Sequence, residues 1–215
     1  MTASAAMVKA MVVKGAGAGM CKQKLTCEEI CASFDPPIEF GSHKDMVGSK
    51  KGYQAEHIVP TSAFHEMGRS GDRVTNCSGY TTPNALTWMA RDGQSADQEH
   101  KILTDQMREF SQANDLAGRE ATLNQWLDEY EEGAKNALKN ADPKRKIKNK
   151  KLDEDSLIDA AAECIRARAA ESFAQMKPPV KGDTKLRNPW AATAEQRAAA
   201  APPPRAPSGG RGGRR

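Results

Sequence analysis

Between residues 96 and 176, apolar side chains return every three or four positions in three successive runs, a spacing that buries one face of a helix. The first helix is predicted over residues 96–113, with Ile102, Leu103, Met107 and Phe110 inward. The second covers residues 121–139, its stripe formed by Leu123, Trp126, Leu127, Tyr130, Ala134 and Leu138. A third, over residues 154–176, presents Leu157, Ile158, Ala161, Ile165 and Phe173. Trp126 and Tyr130 fall on these stripes and Trp88 on a shorter one, so all three read as core rather than as base-stacking platforms. Any function must therefore be built onto a mainly helical body.

Upstream the signals are shorter. Thr26 followed by Glu29 fits a capping box for a brief helix to Ala32, stopped by Asp35, Pro36 and Pro37. Extended or looped chain follows to Lys51. The clearest strand signal is GYQAEHIVP, residues 52–60, with β-favouring Ile58 and Val59 and a closing Pro60. A Gly- and Ser-dotted stretch, residues 68–79, reads as a long loop or loose hairpin and leads to Pro83, which is predicted to start a short helix carrying Asn84, Ala85, Leu86 and Trp88 and broken at Asp92-Gly93. The fold class expected is α+β.

With 38% apolar residues, 5% aromatic and a mean hydropathy of −0.70, part of the 215-residue chain is expected to lie outside the core. Residues 1–20 read as a flexible lead, residues 21–177 as the folded domain, and residues 178–215 as a disordered Ala/Pro/Gly/Arg tail after Pro178-Pro179. The most apolar stretch, residues 5–13, is interrupted by Lys9, which argues against a membrane span and against a cleavable signal peptide. The net charge of +4 is unevenly spread: residues 51–141 carry −5 and residues 178–215 carry +6, so affinity for a polyanion cannot be argued from overall charge. The Lys144 to Lys151 run reads either as a solvated linker or as a phosphate contact. Five cysteines without a CxxC pair are read by default as reduced thiols, with pairing or metal sharing among Cys21, Cys27 and Cys31 left open.

Four histidines remain to be weighed. His43 lies in a polar loop and reads as solvated. His65-Glu66 opens like a zincin motif, but Arg69 stands where the second imidazole is required, so that reading is rejected. His57 differs, because Glu56 precedes it at a strand end and neighbouring side chains on a strand leave on opposite faces. Asn84 and then His100 follow downstream, with Asn76 the competing asparagine and Asp92 or Asp97 as further carboxylates.

In that order, AEHIVP, TTPNALTWM and DQEHKILTDQM resemble the HNH/endonuclease VII superfamily of metal-dependent nucleases, and most nearly the nuclease domains of bacterial polymorphic toxins, type VI secretion effectors among them. The resemblance covers about residues 52–110. It implies a small ββα-metal core embedded in helices, with His57 as general base, Asn84 orienting its ring, and Glu56 and His100 holding one divalent cation. Mg²⁺ is the first expectation, with Mn²⁺, Ni²⁺ or Zn²⁺ compatible with the same donors. It departs from many such toxins in having Glu56 where they carry a histidine, and in a long segment between the first motif and Asn84. It further implies DNA cleaved with little sequence preference, a cognate immunity protein, a secretion-system delivery module, and action in a target cell after export. Arg69, Arg73, Arg91 and Lys101 lie in the same region and are the expected phosphate contacts. RNA as substrate, or a non-enzymatic helical adaptor or nucleic-acid-binding module, are the alternatives.

Overall fold

The computed structural model describes residues 9–12, 22–92, 97–148 and 153–200. Most of the predicted flexible lead, Cys21, and the final Arg/Gly run lie outside these residues.

A short antiparallel pair, β1 (Lys9–Val12) and β2 (Lys22–Leu25), leads into α1 (Cys27–Ala32). The predicted capping box is present: Thr26 Oγ1 accepts from the Glu29 N–H and the Glu29 carboxylate accepts from the Thr26 N–H. Next come β3 (Phe34–Asp35), β4 (Phe40–Ser42), a single-turn α2 (His43–Met46) and β5 (Tyr53–His57). The residues after Pro83 correct the sequence reading, because they form a 3₁₀ turn, Thr82–Asn84, followed by β6 (Leu86–Arg91) rather than a helix. The helical spacing there was short. The segment instead gains main-chain pairing on both sides, as the middle strand of an antiparallel sheet ordered β4–β6–β5.

The three long helices stand close to their predicted limits: α3 (Glu99–Leu116), then, after β7 (Ala121–Thr122), α4 (Leu123–Asn140), and, after β8 (Lys146–Ile147), α5 (Glu154–Gln175). Thr122 and Gln125 form a second capping box, and the Asp153 carboxylate caps α5 by accepting from the Ser156 N–H. Their apolar stripes make the core, with Leu103, Trp126, Leu127, Tyr130, Leu157 and Ile165 almost wholly buried, while Ile102 and Phe110 only flank it. Trp88 is also fully buried and donates from its indole N–H to the Tyr130 hydroxyl at 2.6 Å, fastening the sheet to α4.

Two further expectations are corrected. The chain keeps packing beyond Pro178-Pro179: Val180 and Leu186 are buried, β9 (Lys185–Leu186) pairs with β7, and α6 (Ala194–Ala200) follows. Isolated apolar anchors in polar surroundings suffice here, because they fill gaps in an existing core. Gly79 lets this segment dock, since a Cβ at that position would lie 1.9 Å from the Pro178 carbonyl oxygen. The thiols are not all reduced either, for Cys27 of α1 is bonded to Cys164 of α5 while Cys31 and Cys77 remain free and buried. No described helix is long and apolar enough to cross a membrane.

The Lys144 to Lys151 run is partly built into the structure. Arg145 is fully buried against Glu99, and Lys148 donates to the Ala32 carbonyl. Residues 149–151 lie outside the described residues.

Candidate active site

The antiparallel β5–β6 hairpin, followed by α3, brings together residues that are far apart in sequence. Glu56 sits opposite Trp88 and His57 opposite Thr87 in the strand register, and His100 lies in the first turn of α3. Glu56, His57, His100 and Arg69 all line one cavity of about 310 Å³, together with His43, Thr82, Thr104, Met107 and Trp190.

Glu56 and His100 are in direct contact, the His100 Nδ1 hydrogen-bonded to the Glu56 Oε2. The carboxylate is the more buried partner, its side chain 9% exposed against 31% for the imidazole. Burial pushes the Glu56 carboxyl up, opposed by the hydrogen bond from His100, and that same hydrogen bond raises His100. The two groups thus titrate as a coupled carboxylate–imidazole pair. Asp92, at the end of β6, adds negative field to both.

His57 has the opposite character. Burial is the first cause that drives its pKa down to about 4, helped by His43 and Arg69 and opposed by a hydrogen bond to the Thr82 backbone. Its Nε2 is buried with no hydrogen-bond partner. A neutral imidazole with an uncommitted ring nitrogen beside a cavity is a proton acceptor awaiting a donor. His43, read from sequence as solvated, lies against this ring with centroids 4.3 Å apart, and burial lowers its pKa too. Sequence reasoning missed it because the turn that swings α2 over β5 leaves no local mark. The signal available was only a histidine directly after the β4 strand.

The remaining candidates divide. Asn84 is exposed, at the end of its 3₁₀ turn, and does not line the cavity, so Thr82 and His43 are what the ring meets. Arg73 donates to the Gly71 and Tyr80 carbonyls and organises its own loop. Arg91 donates to the Pro143 carbonyl, and Lys101 pairs with Asp105 one turn along α3. Asn76 has a φ of 66° and lines a different pocket, and the Asp97 carbonyl accepts from the Asp142 N–H. Of the four basic residues proposed as phosphate contacts, Arg69 alone lines the cavity.

Beneath the site lies a second acid–base pair. The Arg145 guanidinium donates to both Glu99 oxygens at 2.6 and 2.7 Å, to the Pro36 and Pro37 carbonyls at 2.9 Å each, and to the Met89 carbonyl at 2.6 Å. Glu99 Oε2 also accepts from the Arg91 N–H at 2.8 Å. This network ties the first turn of α3, and with it His100, to the end of β6 and to the prolines after α1.

A divalent cation would find two donors of suitable type side by side, the Glu56 carboxylate and the His100 imidazole. Among the described residues no three or more His, Cys, Asp or Glu side chains gather as a metal-binding group. These two donors alone would leave the remaining positions of a divalent ion to water and phosphate oxygens. No protein-family model, curated protein or solved structure matches this chain.

Proposed function

We propose that the protein is a divalent-metal-dependent endonuclease hydrolysing DNA phosphodiester bonds with little sequence preference. The observation that carries this reading is the single cavity shared by Glu56, His57 and His100, with the His57 Nε2 buried and unpartnered. The strand–strand–helix order of β5, β6 and α3 supports this reading.

In this scheme His57 accepts the proton of the attacking water at Nε2 and is already unprotonated well below neutrality. The Thr82 backbone and the His43 ring fix the direction in which that nitrogen points. Glu56 and His100 are the residues that would hold the cation, and when bound it would supply neutralisation of charge developing on the phosphate oxygens. Arg69 meets a non-bridging oxygen or the neighbouring phosphate. Contacts to phosphate position a strand without reading its bases, hence the expected lack of sequence preference.

The wider resemblance extends the proposal to an exported antibacterial toxin held in check by an immunity protein. The Cys27–Cys164 disulfide supports passage through an oxidising compartment, where such bonds persist.

Incubating supercoiled plasmid with the purified protein and Mg²⁺ or Mn²⁺ should give nicked and linear products, and EDTA should stop the reaction. His57→Ala should abolish cleavage while leaving cation binding intact, and His100→Ala should weaken both. Cleavage by His57→Ala equal to that of the native chain defeats the assignment.

A further inference from the structure

Residues 187–192 form a strap across α3. The Arg187 N–H donates to the Ala63 carbonyl at 3.1 Å and the Asn188 amide to the Arg119 carbonyl at 2.7 Å. The Ser111 hydroxyl, itself buried, lies 3.1 Å from both the Trp190 N–H and the Trp190 carbonyl, and the Ala192 N–H donates to Asp115 at 2.8 Å. Arg197 closes the far end on the same Asp115 carboxylate. So many anchors on so short a segment hold the backbone from which Trp190 projects.

Of the three tryptophans, Trp88 and Trp126 are fully buried, and both indole rings belong to the core. Trp190 is only half-buried, and it lines the same cavity as Glu56, His57 and His100, on the wall it shares with Thr104 and Met107 of α3. The Arg108 guanidinium lies over one face of its ring, 5.9 Å from the centroid, so a base would meet the other face. A cavity lined by an imidazole, a carboxylate–imidazole pair, an arginine and a partly exposed indole that also packs against the core offers a nucleotide a place for its phosphate and a place for its base.

We infer that Trp190 is a stacking platform for an unpaired nucleobase next to the phosphate held in the cavity, which makes single-stranded DNA the preferred substrate class. The inference rests on the nuclease reading and deepens it. A base inside a duplex is already stacked on its neighbours and has no free face for the indole, whereas a base in a single strand exchanges solvent for the ring. Stacking accepts any base, so the platform adds affinity without adding sequence preference.

The test uses the full chain carrying His57→Ala, which binds without cutting, with three probes: short oligo(dT), an abasic strand of equal length, and a blunt duplex. With the other two indoles buried and out of a ligand's reach, contact quenching of the intrinsic fluorescence reports on Trp190, and oligo(dT) is expected to quench it while the abasic strand is not. By anisotropy of a labelled oligo(dT), adding Trp190→Leu should weaken binding about 5- to 150-fold, the range for one stacked base, and Trp190→Phe should restore most of it. In the cleaving enzyme, Trp190→Leu should raise KM for single strands with little change in kcat. Equal affinity for oligo(dT) and the abasic strand, or tighter binding of the duplex, overturns the inference. So does a Trp190→Leu variant that loses thermal stability but keeps its affinity for oligo(dT). Quenching without any cleavage by the native chain would refute the nuclease reading and leave the platform standing.

Discussion

Replacing Arg145 by Met probes how firmly the helix that carries His100 is held. The guanidinium and the Glu99 carboxylate are both 0% exposed, so the substitution leaves a buried carboxylate still hydrogen-bonded by the Arg91 N–H. Removing one member of such a pair costs about 3–5 kcal/mol, against a total stability of about 5–15 kcal/mol for a typical protein. The carbonyls of Pro36, Pro37 and Met89 lose their donor at the same time, which places the expected loss toward the upper end. At roughly 2–4 °C per kcal/mol for a chain of this size, the thermal midpoint should fall by about 8–20 °C. Adding Glu99→Gln removes the unpaired charge yet keeps an oxygen for the Arg91 N–H, so the double variant should recover about half of the loss. Urea and thermal unfolding followed by circular dichroism measure all three proteins. A single variant within about 1 kcal/mol of the native chain, or a double variant whose losses simply add, would refute the account of Arg145 as the tie between α3, β6 and the proline turn.

Two further outcomes follow from the same structure. The folded pKa of His57, about 4, lies below the ordinary imidazole value, so the unfolded chain binds more protons between these limits; stability contributed by this residue is full above about pH 6.5 and is lost as pH falls toward 4. Unfolding free energies from urea titrations at pH 7 and pH 5 should therefore differ by about 1–2 kcal/mol more in the native chain than in His57→Gln, and an equal drop in both would refute the assignment of a buried neutral imidazole. The Cys27–Cys164 bond joins residues separated by 137 positions, so removing it as the Cys27→Ser/Cys164→Ser pair should destabilise the protein by about 5 kcal/mol on chain entropy alone. Dithiothreitol should lower the midpoint of the native chain and not of the pair, and a midpoint insensitive to reductant refutes the bond.

The parts of this fold legible in the sequence are those whose reason is local. The stripes of α3, α4 and α5 and the Thr26–Glu29 capping box follow from residues a few positions apart, and each stands where its spacing puts it. Where the deciding partner is distant, the sequence misleads. Leu86–Arg91 becomes a central strand because β4 and β5 both satisfy its backbone, and Val180 and Leu186 are buried because a core formed earlier in the chain has room for them. The same division runs through the candidate site. Glu56, His57 and His100 were singled out by order along the chain and share a cavity, but the residues beside the His57 ring, His43 and Thr82, carry no pattern that marks them. Arg145 is the sharpest instance: within a lysine run it reads as one more solvated charge, yet its side chain is wholly buried and makes five hydrogen bonds. What distinguishes it is chemistry rather than spacing, since a planar guanidinium can serve a carboxylate and three carbonyls at once where an ammonium cannot, and Arg145→Lys should for that reason behave more like Arg145→Met than like the native protein.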